Sequence, residues 1–195
     1  AYEDDIKAQE AKIVQMEAEI KKKEAEEAAK KAAEEAARKA AAAGKTNNST
    51  AKGNTGSPTT TSTGSSSLRW PCPASGRITS GFGNRKSPTA GASSNHKGID
   101  ISASTGSSIV AAAGGTVSIA TYSYSAGNYV VVNHGNGLST VYMHCSQLLV
   151  SAGDTVKAGQ TIAKVGSTGY STGSHLHFAV RKNGSYVNPS SYVSP

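Results

Sequence analysis

Of the 195 residues only two are cysteine and thirteen are acidic, and beyond residue 43 the acids shrink to Asp100 and Asp154. Cys72 and Cys145 stand far apart with no C-x-x-C pair, which argues against a zinc–thiolate site. In an exported protein they would either pair, closing a long loop worth about 2–4 kcal/mol, or remain two small buried thiols. No apolar run is long enough to span a membrane. Neither a recognition helix nor an aromatic-basic ribonucleoprotein signature is found, so no nucleic-acid partner is expected. No signal peptide is visible either, and the chain opens inside a helical pattern, as a processed or truncated protein would.

What is there falls into three pieces. Residues 1–43 are Ala, Glu and Lys with isolated Ile and Met, and carry nine basic and eleven acidic groups. Ile6, Ile13 and Ile20 lie seven apart, with Tyr2 and Met16 four residues before Ile6 and Ile20. These are the core positions of a coiled-coil heptad, interrupted by Gln9 and Lys23. A long α-helix is expected, ending near Gly44, as a spacer or as a helix that self-associates or binds a partner protein. Residues 44–67 are Gly, Ser, Thr, Asn and Lys, which bury little apolar surface and read as a flexible linker.

Residues 68–195 are long enough for one core and carry nine basic against two acidic groups. Such a domain attracts polyanions, whether nucleic acid, anionic lipid or cell wall. Runs of β-formers at 108–113, 116–120, 129–133, 139–145, 161–165 and 175–181 are separated by Gly-rich turns. Asn136-Gly137 between two alternating runs marks a hairpin. No amphipathic helix follows residue 68, so the fold class is mainly β, antiparallel sheets folded on one another behind a long N-terminal helix.

Four of the five histidines, with Asp100, carry the chemistry. In Ser174-His175-Leu176-His177-Phe178-Ala179-Val180, alternation puts His175 and His177 on one face and Leu176, Phe178 and Val180 on the other. Two imidazoles side by side, opposite an apolar stripe, point to metal ligation. His96 and Asp100 add an imidazole and a carboxylate four apart, with His96 in a loop leading to a short strand. A carboxylate between Ile99 and Ile101 needs a partner: an Arg, the backbone, or a metal. Along 140–145, Val141, Met143 and Cys145 are expected to face one way, Tyr142 and His144 the groove. Asp154 reads as a turn residue, and His134 as a loop residue.

Asn95-His96-Lys97-Gly98-Ile99-Asp100, Tyr142-Met143-His144 and His175-Leu176-His177 occur in order, with Gly-rich stretches at 78–85 and 166–173 between them. Together they closely resemble the lysostaphin/LytM-type zinc peptidases over residues 68–193. The resemblance implies one zinc ion held by His96, Asp100 and His177, with the fourth position left to water, as in catalytic sites. It implies that His144 and His175 orient or deprotonate the water and stabilise the oxyanion. Tyr170 and Arg85 become candidate groove residues. The implied function is a metalloendopeptidase hydrolysing peptidoglycan stem peptides or crossbridges, exported to the cell wall or beyond. The alternative is a non-catalytic wall-binding regulator that activates another wall hydrolase, a class recognised by lost ligands. The 153–160 stretch also resembles lipoyl and biotinyl carriers, a likeness of fold that leaves His96 and Asp100 unexplained.

Overall fold

In the computed structural model, which describes residues 2–43, 68–87 and 93–195, the chain forms one long helix followed by short strands. Helix α1 is Tyr2–Ala43. The strands begin with β1 Ile78–Ser80, β2 Gly83–Asn84, β3 Asn95–His96, β4 Ile99–Ser102 and β5 Ser108–Val110. Then come β6 Gly115–Ser123, β7 Gly127–Asn133, β8 Leu138–Cys145 and β9 Gln147–Leu148. The last are β10 Thr155–Val156, β11 Thr161–Lys164, β12 His175–Lys182 and β13 Ser185–Val187.

An eight-stranded sheet runs β1-β4-β12-β8-β7-β6-β10, with β13 alongside β12; a three-stranded sheet runs β5-β11-β9, and β2 pairs with β3. The strand pairs are antiparallel, as the turn-separated runs predict. Asn136 and Gly137 both take positive φ in the β7–β8 turn, where Asn and Gly alone are at ease. The linker expected at 44–67 lies outside the described residues. By contacts, Ala1–Ala18 cluster with Ser67–Pro195 in one unit, and Glu19–Ser66 form a second. No described helix is long and apolar enough to cross a membrane.

The large sheet buries both faces. On the inner face Ile99, Val130, Val132, Tyr142, Leu176, Phe178 and Val180 pack against Ile109 and Ile162 of the smaller sheet and Val165 just beyond it. Cys72 and Cys145 belong to this core as free, buried thiols. The alternative of a disulfide is therefore not realised, and burial pushes the Cys145 thiol up to about 12. On the outer face Ile119, Tyr129, Val131, Val141 and Ala179 would meet water, but Ile13 and Met16 of α1 cover them. Two members of the heptad stripe, Ile13 and Met16, thus pack on a sheet of their own chain. Ile13 is 1% exposed, a burial worth about 1.5–3 kcal/mol.

His134 is more than a loop residue. Its Nδ1 lies 2.9 Å from the Gly114 carbonyl and its Nε2 2.8 Å from Thr140 Oγ1, which in turn is 2.8 Å from the buried Tyr142 hydroxyl. With Nδ1–H donating to the carbonyl, Nε2 is left to accept, so the ring is neutral. Burial lowers its pKa accordingly. A folded pKa below the unfolded value means the stabilisation is complete above about pH 6.5 and is lost as pH falls toward the folded value. Urea denaturation at pH 7.5 and 5.5 is expected to show a loss of stability at the lower pH that shrinks in His134→Gln. Thr140→Val, which leaves Nε2 unpaired and the Tyr142 hydroxyl only its bond from Ala112 N at 2.8 Å, is expected to cost about 1–3 kcal/mol at pH 7.5.

Candidate metal centre and active site

Three ligand-type atoms converge where β3, β4 and β12 meet. Pairing of β12 with β4 sets His177 opposite Asp100. His96 ends strand β3 rather than lying in a loop, and the turn after it closes over them because Gly98 carries no side chain: a Cβ there would meet the Phe178 carbonyl at 2.5 Å and His177 Nε2 at 2.8 Å. His96 Nε2 lies 3.1 Å from Asp100 Oδ1 and 3.0 Å from His177 Nδ1, and His177 Nδ1 lies 2.9 Å from Asp100 Oδ1. Among the described residues these three form the one group able to share a metal ion.

The protons explain why the trio suits a cation. His96 Nδ1 lies 2.7 Å from the Gly81 carbonyl and so carries the hydrogen, leaving a lone pair on Nε2. With neutral rings, a proton on His177 Nδ1 still leaves His96 Nε2 facing the carboxylate acceptor to acceptor. A cation between them resolves the conflict. Tetrahedral zinc with bonds of about 2.0–2.1 Å spaces its ligand atoms roughly 3.3 Å apart, close to the separations found. Two imidazoles and a carboxylate are also a catalytic zinc donor set. The residues present fit the metal.

Charge is arranged to keep Asp100 ionised. Burial alone would raise its pKa, but its close contacts with His177 and His96 outweigh that and hold it well below the usual carboxylate range. Arg85 Nη1 donates to Asp100 Oδ2 at 2.8 Å and to Ser80 Oγ at 2.5 Å. The guanidinium therefore occupies one carboxylate oxygen and leaves Oδ1 for the cluster. Burial, foremost, lowers the His177 pKa and favours the neutral ring a metal needs.

His144 and His175 stand beside this group, their ring centroids 4.8 Å apart. His175 Nε2 lies 3.7 Å from Asp100 Oδ1. One loop fixes both: His144 Nδ1 bonds the Thr168 carbonyl at 2.9 Å, and His175 Nδ1 the Gly173 carbonyl at 2.8 Å. Each carbonyl takes the Nδ1 hydrogen, so each ring keeps a basic Nε2. Burial, above all, pushes His144 down to about 3. The loop sits this close because Gly127 has no side chain; a Cβ there would lie 2.3 Å from Thr168 Oγ1.

The strand-alternation reading holds for His175, His177 and the core set Leu176, Phe178 and Val180, whereas Val141, Tyr142 and Met143 face opposite to expectation, although the cavity does receive His144. That residue adopts φ of 65°, a left-handed conformation uncommon outside glycine, where the β7–β8 register shifts. The phase slips, so Tyr142 joins the inner core and Met143 lines the groove beside His144. Arg85 and Tyr170 also line this cavity of about 560 Å³. Asp154 accepts from Ser151 N at 2.8 Å within its turn. The Gly81, Thr168 and Gly173 carbonyls set the tautomers yet leave no trace in a pattern of side chains.

With the geometry in hand, the relatives are informative. A model of peptidase family M23 matches residues 94–189. The peptidoglycan DD-endopeptidase ShyC of Vibrio cholerae is 40% identical over 120 residues, which are 61% of this chain and 28% of that protein. A zinc-containing peptidase from Vibrio cholerae superposes with a TM-score of 0.58 at 37% identity, covering 63% of this chain and 39% of that one. The catalytic domain of lysostaphin from Staphylococcus simulans superposes with a TM-score of 0.54 at 33% identity, covering 59% and 90%. The chain spans only about a quarter of the length of the first curated relatives it matches.

Proposed function

Because the chain belongs to peptidase family M23, we propose that it is a zinc-dependent endopeptidase cleaving peptide bonds of bacterial peptidoglycan. The observation that carries this reading is the convergence of His96 Nε2, Asp100 Oδ1 and His177 Nδ1 within 3.1 Å of one another. These three residues would hold the metal. Zinc there supplies a Lewis acid that polarises a peptide carbonyl and acidifies water.

The chain's own groups do the rest. Nε2 of His144 and Nε2 of His175, each left basic by a backbone carbonyl on Nδ1, flank the metal group and can take a proton from water and pass it to the departing amine. When protonated, either ring can donate to the oxyanion that develops on the carbonyl. Arg85 keeps Asp100 turned so that one oxygen faces the ligand group. The surplus of basic over acidic residues from 68 onward favours approach to an anionic wall. The site of action is outside the cytoplasm, where that wall lies.

The regulator alternative requires missing ligands, and all five positions are filled. The test is release of soluble peptides from purified peptidoglycan. Release is expected with zinc-loaded protein, to be lost after chelation and restored by zinc. Full release by the stripped protein would overturn the reading. Mass spectrometry of the fragments identifies the bond cut.

A further inference from the structure

The groove has a wall that the peptidase fold does not itself supply. Asp5, Ile6, Gln9, Glu10, Ile13 and Glu17 repeat every three or four residues, which places them on one face of α1. That face lies against the domain. Ser125 donates to Asp5 Oδ2 through its backbone N at 2.8 Å and its hydroxyl at 2.6 Å. Glu10 pairs with Lys97, the neighbour of His96. Ile13 closes the apolar patch on the outer face. Glu17 accepts from Ser139 Oγ at 2.6 Å and from Nη2 of the buried Arg181 at 3.2 Å. Ile6, Gln9 and Glu10 therefore line the same cavity as His96, Asp100, His144, His175 and His177.

Resting on the peptidase reading above, we propose that the outer sheet face and groove rim form a docking seat for residues 3–17 of α1, and that this segment excludes a peptidoglycan strand from the metal group. A cavity of about 560 Å³ has the size of a small-ligand pocket. A polymer must run through a cleft rather than end inside it, and a helix about 10 Å across standing on the rim closes that path. The seat is specific. Its polar contacts are carboxylates of the helix meeting Lys97, Arg181, Ser125 and Ser139 of the domain, and its centre is one isoleucine on a matching apolar patch. Substrate then competes with the chain's own helix, and its apparent affinity falls by the fraction of molecules with the seat empty.

The test uses the full zinc-loaded chain in four forms: native, Ile13→Asp, Ile13→Ala and Glu17→Lys, the last setting like charges together at Arg181. Hydrogen exchange at residues 5–17 and at the Ser125 amide reads docking; protection of β12 reports that the domain is folded. Hydrolysis of purified peptidoglycan and binding of a zinc-chelating tripeptide hydroxamate read access. Faster exchange, with hydrolysis and hydroxamate affinity both raised at least about tenfold in Ile13→Asp and Glu17→Lys, is expected. Ile13→Ala should move in the same direction by less, and carries the test if Ile13→Asp loses β12 protection. Faster exchange with unchanged hydroxamate affinity overturns the proposal and leaves the peptidase reading standing. If no form hydrolyses peptidoglycan, the peptidase reading fails instead, and hydroxamate affinity alone decides whether the helix covers the site.

Discussion

His177→Ala is expected to weaken zinc binding roughly 100- to 1,000-fold and to reduce peptide hydrolysis below detection. Four-ligand zinc sites bind with about 10–16 kcal/mol, so one protein ligand is worth about 3–4 kcal/mol, and each 1.4 kcal/mol is tenfold in Kd. His175, the next imidazole, comes only within 3.7 Å of Asp100 Oδ1, whereas His177 sits inside the ligand group. Its Nδ1 is 3.0 Å from His96 Nε2 and 2.9 Å from Asp100 Oδ1, while the remaining imidazoles are tied by Nδ1 to loop carbonyls. Asp100→Asn should act in the same direction and also strand Arg85 without its charge partner. Competition with a chromophoric chelator measures the affinity directly. Native zinc affinity in His177→Ala would mean that the metal sits elsewhere.

The second large effect belongs to the two flanking histidines and has a different signature. His175→Ala and His144→Asn are expected to lower kcat by about 10²–10⁴, the range of a lost proton-transfer group, with zinc content unchanged. Asparagine is the replacement at 144 because φ there is 65°, which Asn tolerates better than most side chains. That keeps backbone strain out of the comparison. His144 is held neutral by burial, down to about 3, so activity should not fall through its protonation above pH 5. Loss of zinc together with activity in His175→Ala would make it a ligand rather than a proton carrier. Unchanged kcat in both variants would mean that neither histidine carries the proton.

The sheet was legible where period-two alternation survives. In β12 the pattern His175-Leu176-His177-Phe178 assigns faces with nothing else needed, and the structure keeps them. In β8 the same arithmetic assigned Tyr142 to the groove and Met143 to the core, and both are reversed. A single left-handed residue shifts the phase, and no local pattern announces that His144 takes such a φ. The helix lies where the sequence puts it, but what its apolar stripe meets was left open for another reason. A stripe of Ile6, Ile13 and Met16 records that something apolar must be met, but not whether the partner is a helix or a sheet. Nor could the Asp5 and Glu17 contacts be foreseen, since Ser125 and Arg181 lie more than a hundred residues away. What the side chains declared was the chemistry; what the backbone carbonyls did with it needed coordinates.

One short stretch, 166–173, steers both His144 and His175 by their inner nitrogens. Any remodelling of that stretch to admit a different crossbridge would re-aim two imidazoles at once. Diversification of what this groove accepts is therefore easier on the opposite bank, among residues 82–87 and 93–95, provided that Ser80, the Gly81 carbonyl, Arg85 and His96 keep their contacts. A designer seeking new bond preferences would leave the first bank untouched and rebuild the second.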